Sequence, residues 1–105
     1  MVQGDIYWVT FKQPDKKSPV LILTRNSAIP ELNAVVVAAV TTTIRDVRSQ
    51  VLLGDSDGMP EECVVNLDNL QTITKNRFEK YITHLNSDRM SEVFEAVQFA
   101  FGCDK

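Results

Sequence analysis

The sequence predicts a mainly β protein with one helix at its C-terminal end, built on a compact and strongly bent antiparallel sheet or small barrel. Three observations lead to this fold class. Short segments rich in β-branched and aromatic residues recur between turn residues. The segment AVVVAAVT, 34–41, is apolar on both faces, as is typical of a central strand. The last segment, 86–102, changes to a helical period. The length of 105 residues allows one domain with one hydrophobic core, 1–105.

Each predicted strand is a short run of strand-forming side chains. In DIYWVTF, Ile6 and Trp8 share one face, and Val9 and Phe11 share the other. Pro19 opens PVLILT, since proline is tolerated at the first residue of a strand. The predicted strands are 5–11, 19–24, 34–41, 49–53, 63–73 (as one or two strands) and 80–85.

The connections between these strands carry loop and turn residues. KQPDKKS, 12–18, is a polar connection that contains a proline, and Pro30 prevents any continuation of a strand through 25–33. The dipeptide Asp57-Gly58 is a good reversal signal. These features predict that the chain turns sharply between neighbouring strands.

The C-terminal segment predicts an amphipathic helix. Ser87 is the expected N-cap, and Gly102 is expected at C′. Phe99 lies on the opposite side from the apolar stripe, and a single exposed aromatic residue is normal. The stripe consists of Met90, Val93, Phe94, Val97 and Phe101.

Composition favours a cytoplasmic protein. The longest apolar run, 34–40, is too short to span a bilayer, and the N-terminus shows no signal peptide. Cys63 and Cys103 have no CxxC spacing and fit reduced thiols. The net charge is −3, yet 1–50 carries six basic side chains against four acidic ones, whereas 51–105 carries five against ten. This asymmetry fits either a positive face for a phosphate backbone or ordinary surface scatter.

The sequence offers few residues for metal or histidine chemistry. His84 is the only histidine, and it lies in a predicted strand with no supporting motif, which favours a structural role. One histidine and two scattered cysteines do not form a zinc motif. DSDG lacks the spacing of a calcium loop, and no phosphate-binding glycine motif occurs. An enzyme with this sequence is expected to work without a metal, cofactor or histidine base.

Five segments in a particular order carry a resemblance to a known family. GDIYWV, PVLIL, VVVAAVT, VVNLDNLQTI and the closing ITHL…M…V…A pattern resemble the MazF/PemK/Kid toxins over residues 4–101. The resemblance implies a small SH3-like barrel of the MazF/Kid/CcdB type with a C-terminal helix, acting as a homodimer. It also implies a toxin that cleaves single-stranded RNA without a metal, leaving a 2′,3′-cyclic phosphate and a 5′-hydroxyl. The implied partner is a cognate antitoxin with an extended acidic C-terminal tail.

The resemblance also implies where the site lies. Thr41, at the end of the central strand, matches the threonine that the family places at the scissile phosphate. The following loop holds Arg45 and Arg48, and the resemblance implies that this loop lies where backbone phosphates pass. A hydroxyl and guanidinium groups suit this chemistry, because the phosphate gains negative charge when a substrate 2′-hydroxyl attacks.

Two positions depart from the family pattern. Ser18 stands where the family has the arginine of an Arg-Pro dipeptide, and Asn66 stands where some members have the arginine of Arg-x-Asp, while Asp68 matches. Lys16 shares the face of Ser18 about 6.6 Å away, and its flexible stem suits the same phosphate. Lys17 is expected on the opposite face.

Three functions remain open on the sequence alone. The first is an RNA-cleaving toxin, with Thr41, Ser18 and Lys16 as candidate catalytic residues. The second is a catalytically weak relative that binds antitoxin or RNA. The third is a CcdB-like gyrase poison, which is disfavoured because that action uses a tryptophan near the C-terminus and the only tryptophan here is Trp8. The candidate RNA-binding residues are Lys17, Arg45, Arg48, Asn66 and Asp68.

Overall fold

The protein folds as one curled antiparallel sheet with a C-terminal helix, and the computed structural model describes residues 1–11 and 16–103. The order of the strands across the six-stranded sheet is β4-β5-β3-β2-β1-β6, which forms an open half-barrel. The predicted fold class is confirmed. The strands are β1 (Asp5–Thr10), β2 (Lys17–Ile22), β3 (Ala34–Thr41), β4 (Gln50–Leu53), β5 (Cys63–Thr74) and β6 (Phe78–His84), and the helix is α1 (Ser87–Ala100). Short 3-10 helices span Ile29–Glu31, Asp55–Asp57 and Lys75–Arg77.

The apolar strand β3 lies in the middle of the sheet, as predicted. It pairs with β2 on one side and with β5 on the other. Val35 and Val37 pack into one buried cluster, and Ala38 and Val40 pack into a second cluster beneath α1. Val36 is exposed, so only part of the strand is covered on both faces.

Strand β5 is one continuous strand with a bulge, which settles the choice that the sequence left open. Ala38 pairs with Leu70, but the next residue, Ala39, pairs with Asn66. Residues 67–69 therefore have no counterpart on β3. A bulge bends a strand and increases its twist, which helps the sheet to curl.

Several predicted boundaries were wrong by a few residues. Residues 17 and 18, predicted in the connection 12–18, belong to β2. Residues 23 and 24, predicted at the end of that strand, lie outside it. Strand β6 begins two residues before the predicted 80. Residues 12–15 of the predicted connection lie outside the described residues.

The N-cap of the helix lies one residue before the predicted one. Asn86, not Ser87, is the N-cap, because its Oδ1 accepts the backbone N–H of Arg89 at 2.9 Å. The prediction of Gly102 at C′ is confirmed, since its φ is +73°. The N–H groups of Gly102 and Cys103 donate to carbonyls of the last turn at 3.0 and 2.8 Å, which is the Schellman arrangement.

The buried face of α1 agrees in part with the predicted stripe, since Val93 is buried and Met90 and Val97 pack against the core. Val93 and Ala96 are buried against the sheet. Phe94 and Phe101, which were predicted to be buried, are 40% and 64% exposed. The helix contacts β4 and β5 through the face that carries the smaller side chains, because these allow close approach to the sheet. None of the helices in the described part of the chain is long and apolar enough to cross a membrane.

The loop between β4 and β5 is tied to both β6 and α1. Gly58 has a φ of +85°, and a Cβ at this position would lie 2.3 Å from Thr83 Oγ1. The Asp57 carbonyl accepts the Thr83 hydroxyl at 2.9 Å, while the Asp57 carboxylate accepts Arg89 Nε at 2.8 Å. The predicted reversal at Asp57-Gly58 is confirmed.

Candidate active site

A cleft of about 950 Å³ lies at the end of the central strands. It is lined by the ends of β2 and β3, by the second half of β5 and by the 3-10 helix that follows β5. Its polar wall includes Lys16, Ser18, Thr41, Asn69, Gln71 and Arg77. The three candidate catalytic residues, Thr41, Ser18 and Lys16, are thus brought together by the fold.

Ser18 belongs to β2 and Thr41 belongs to β3. Val20 pairs with Ala39 in the antiparallel register of β2 and β3. This pairing ends at Val20 and Ala39, two residues short of Ser18 and Thr41. Both residues line the same cleft from neighbouring strands.

The hydroxyl of Thr41 is oriented by a local hydrogen bond. Its Oγ1 accepts the backbone N–H of Thr43 at 3.2 Å. The hydroxyl hydrogen remains available to donate, since a threonine hydroxyl combines one donor with two acceptor positions. Thr41 is half-buried, which limits competition from water at this donor.

The two neighbouring lysines have different surroundings. Lys16 lines the cleft with Ser18, which fits the alternation expected along a strand. Lys17 is not among the cleft-lining residues, and its Nζ forms an ion pair with Glu79 Oε1 at 2.9 Å. Lys16 therefore lies in the cleft wall, whereas Lys17 is paired with a residue of β6.

A second recess of about 250 Å³ adjoins the first cleft. Ser18 and Thr41 line both hollows, so they lie on the ridge between them. Trp8 and Cys63 also line this recess. Burial raises the pKa of the Cys63 thiol, and the nearby Glu61 carboxylate raises it further. A protonated thiol is a poor nucleophile, so Cys63 does not suit covalent catalysis.

The two arginines of the β3–β4 loop lie outside the cleft wall. The guanidinium of Arg48 is 4.4 Å from the centre of the Phe99 ring, which is a cation–π contact with the last turn of α1. The backbone N–H of Arg45 donates to Gln50 Oε1 at 2.8 Å. These contacts give the loop a defined path, and they also account for the exposed aromatic residue on the outer side of α1.

Asn66 and Asp68 shape the bulge of β5. Asn66 Oδ1 accepts the backbone N–H of Asp68 at 3.0 Å, and the Asp68 carboxylate accepts the hydroxyl of the buried Ser49. Neither residue is among those that line the cleft. Their described contacts are internal to the fold.

Arg77 is a cleft residue that the sequence analysis missed. It ends the 3-10 helix between β5 and β6, and its Nη1 donates to the carbonyl of Thr10 at 3.3 Å. No local motif marks this position. Finding it requires the strand pairing, in which Val9 is paired with both Ser18 and Phe78. This pairing brings β6 and the 3-10 helix before it close to the cleft.

The only histidine lies elsewhere. His84 ends β6, and its Nδ1 is 2.9 Å from Asp5 Oδ1. It does not line the cleft, so the cleft contains no imidazole base. Across residues 1–11 and 16–103, no three His, Cys, Asp or Glu side chains converge in a way that can hold a metal ion.

Comparison with known proteins identifies the family. The family described as PemK-like, MazF-like toxin of type II toxin-antitoxin system matches residues 2–101. The curated Probable endoribonuclease MazF2 of Mycobacterium tuberculosis is 34% identical over 104 residues, which cover 98% of this chain and 100% of the relative.

Solved structures give the same result. Mycobacterium tuberculosis toxin MazF-mt6 superposes with a TM-score of 0.87 at 35% identity, covering 96% of this chain and 99% of the other. An endoribonuclease in complex with its cognate antitoxin, from Mycobacterial species, has a TM-score of 0.87 at 26% identity, covering 97% and 95%. Sequence, fold and coverage agree, and the chain belongs to the PemK-like, MazF-like toxin family of type II toxin-antitoxin systems.

Proposed function

We propose that this protein is the toxin of a type II toxin–antitoxin pair and acts as a metal-independent endoribonuclease on single-stranded RNA in the cytoplasm. The observation that carries the proposal is the meeting of Thr41, Ser18 and Lys16 in one cleft at the end of the central strands. The endoribonuclease names of the relatives, at 34% identity over nearly the full chain, support cleavage rather than RNA binding alone or a gyrase poison.

The proposed reaction uses the substrate's own 2′-hydroxyl as nucleophile. The 2′-hydroxyl loses its proton to water as its oxygen forms a bond to the phosphorus. The bond to the 5′-oxygen breaks, and that oxygen takes up a proton from water, so the products are a 2′,3′-cyclic phosphate and a 5′-hydroxyl. The non-bridging oxygens gain negative charge during this step. In this proposal the Thr41 hydroxyl and the Lys16 ammonium, which belong to residues of the same cleft wall, stabilise that charge. Electrostatic stabilisation of this kind is usually the largest single contribution to catalysis.

Ser18 has a smaller role in this scheme. It lies where family members carry an arginine, and a serine offers one neutral donor in place of a charged fork. The cleft therefore depends on Lys16 and on hydroxyl groups for much of its charge stabilisation. We expect a slow nuclease in comparison with relatives that keep the arginine.

The proposal includes two protein partners. One is a second copy of the chain in a homodimer, and the other is a cognate antitoxin whose acidic C-terminal tail binds the toxin. The relative solved with its cognate antitoxin supports the second partner. Light scattering of the purified protein is expected to give about twice the chain mass of 11.8 kDa, and a monomeric mass contradicts the homodimer.

The main experiment measures the cleavage products. We expect single-stranded RNA to be cleaved in excess EDTA and the new 5′ ends to be hydroxyls, because the described residues offer no metal cluster. Loss of cleavage on chelation, or 5′-phosphate ends, contradicts the mechanism. RNA binding without any cleavage by the natural protein contradicts the enzymatic part of the proposal.

Matched variants test the two main residues. Thr41→Val removes the hydroxyl while keeping the shape, and kcat is expected to fall about 10²–10³-fold, as for one lost donor to a developing anion. The exposed neighbour Thr42 provides the control, since Thr42→Val is expected to leave kcat unchanged.

Lys16→Gln is expected to lower activity about 10- to 100-fold, the usual effect of losing one charged hydrogen bond. Lys17→Gln removes the same charge one residue away, outside the cleft wall, and is expected to have a smaller effect. Equal effects of the two lysine variants contradict the placement of Lys16 at the reacting phosphate. Thermal unfolding of each variant separates a loss of activity from a loss of stability.

A further inference from the structure

The guanidinium of Arg77 lies in the cleft wall. It does not come from position 18 or position 66, the two positions where the family pattern has an arginine. It lies at the end of the 3-10 helix Lys75–Arg77, immediately before β6, and it is half-buried. Its Nη1 donates to the Thr10 carbonyl at 3.3 Å. That hydrogen bond spans 67 positions of the sequence and fixes the arginine against the end of β1.

The position of Arg77 relative to Ser18 follows from strand pairing. Thr10 pairs with Lys17, the residue next to Ser18. With standard strand spacings, the Arg77 guanidinium lies on the order of 10 Å from the Ser18 backbone. A single-stranded RNA whose scissile phosphate contacts Ser18 and Thr41 therefore passes Arg77 with an adjacent part of its backbone.

The charge of Arg77 is not neutralised by a carboxylate in the described part of the chain. Its described partner there is the neutral Thr10 carbonyl, which occupies one of five N–H donors. By contrast, Lys17 is paired with Glu79, and Arg89 is paired with Asp57. A fixed guanidinium with free donors in a cleft matches the bidentate geometry of a phosphate.

A polar recess of about 280 Å³ lies on the other side of Arg77. It is lined by Thr10, Thr74, Asn76, Arg77 and Glu79. The Thr10 Oγ1 is buried and has no hydrogen-bond partner among the described residues. The polar side chains that line the recess are the groups that a bound nucleotide would contact.

We propose that Arg77 binds a backbone phosphate of the RNA next to the scissile one, and that the recess behind it receives polar groups of the adjoining nucleotide. The proposal rests on the proposed RNA-cleaving function and names a substrate-binding residue for it. Phosphate contacts fix the register of a nucleic acid without reading its sequence. Arg77 therefore contributes to RNA affinity in a way that is independent of sequence but dependent on salt.

The experiment measures binding of an RNA that is resistant to cleavage. The probe is a fluorescein-labelled, random-sequence 12-mer of 2′-O-methyl RNA, in which the attacking hydroxyl is blocked. Its Kd is measured by fluorescence anisotropy over a series of KCl concentrations for the natural protein, Arg77→Gln and Arg25→Gln. Arg25 is the matched control, because it is exposed and does not line the cleft.

We expect Arg77→Gln to raise Kd about tenfold, as for one lost charged hydrogen bond. We also expect the slope of log Kd against log salt to fall by about 0.7, the value for one phosphate contact on a single strand. Arg25→Gln is expected to leave both quantities unchanged. If Arg77 has only a structural role, Arg77→Gln lowers the melting temperature but leaves the slope of log Kd against log salt unchanged. That result overturns the proposal.

Two further outcomes separate this proposal from the proposed function. If the natural protein binds the probe and cleaves RNA but Arg77→Gln behaves like Arg25→Gln, the role of Arg77 is wrong and the nuclease function stands. If the natural protein neither binds nor cleaves RNA, both proposals are wrong. Where Arg77→Gln unfolds below the assay temperature, Arg77→Met, which keeps the aliphatic stem, decides by the same criteria.

Discussion

Asp57 makes the best-defined polar contact between the β4–β5 loop and α1, and its replacement gives a sharp test of the fold. Its side chain is 6% exposed. Oδ1 accepts Arg89 Nε at 2.8 Å, and Oδ2 accepts the backbone N–H of Gly54 at 3.0 Å. Asp57→Ala removes both hydrogen bonds, whereas the backbone carbonyl that accepts the Thr83 hydroxyl remains.

The size of the effect follows from these two bonds. A hydrogen bond between charged groups contributes about 1.5–3 kcal/mol, and the lower end applies because Arg89 is 31% exposed. The Gly54 N–H adds about 1 kcal/mol, so the free energy of unfolding should fall by about 2.5 kcal/mol. An unfolding entropy of about 2.1 cal/mol/K per residue converts this loss to a melting temperature about 11 °C lower for the 105 residues.

Circular dichroism during thermal unfolding measures this shift. Asp55→Ala is the matched control, since Asp55 lies in the same 3-10 helix but is exposed, and it should change the melting temperature by no more than about 2 °C. If Asp57→Ala and Asp55→Ala melt together, the contact does not stabilise the fold and the reasoning is refuted.

The pH dependence gives a second measurement on the same residue. Burial acts to raise the pKa of Asp57, but hydrogen bonds from Arg89 and Gly54 outweigh it and hold the pKa below its ordinary value of 3.8. A carboxyl with a lowered pKa in the folded state stabilises the protein above that ordinary value and loses its contribution as the pH falls through the folded pKa. The stability difference between the natural protein and Asp57→Asn should therefore be constant near neutral pH and shrink below pH 3.8.

Three further predictions concern the loop, the thiols and the cleft. Gly58→Ala should lower stability by about 1–3 kcal/mol in denaturant titrations, because of its positive φ and the close hydroxyl, while Gly54→Ala, where a Cβ has open space, should cost less. A thiol reagent at pH 8 should modify the exposed Cys103 in the native protein and reach the buried Cys63 only after unfolding. Ser18→Arg should raise the cleavage rate by up to about 10²–10³-fold, and no gain in a variant that folds and binds RNA contradicts the assignment of position 18.

Local patterns predicted most of the sheet but not its details. The apolar run 34–41 identified the central strand, because a strand covered by neighbours on both sides needs few polar residues. The bulge at 67–69 has no local signature, since it depends on how β5 meets β3. The exposure of two predicted stripe residues of α1, Phe94 and Phe101, also depends on tertiary contacts. Periodicity indicated an apolar stripe, but packing against the sheet selected Val93 and Ala96 and left Phe101 exposed.

The residues of the candidate site were also predictable only in part. Lys16, Ser18 and Thr41 were accessible to sequence reasoning, because strand alternation and the family resemblance placed them on one face. Arg77 was not accessible, because it reaches the cleft only through the pairing of β1 with the distant β6. The RNA-binding role of Arg48 stays a prediction, and its contact with Phe99 was not predictable because it depends on how the loop meets the helix.

Some residues of the cleft lie in strands and others lie in connecting segments. This difference determines which parts of the cleft can be altered by substitution without disturbing the sheet. Ser18 and Thr41 lie near the ends of β2 and β3 and are paired with Val9 and Val64, so displacing them requires breaking strand pairing. Lys16 and Arg77 lie outside the strands, at the positions immediately before β2 and β6. Substitutions in the connecting segments can therefore alter one wall of the cleft while Ser18 and Thr41 keep their positions in the sheet.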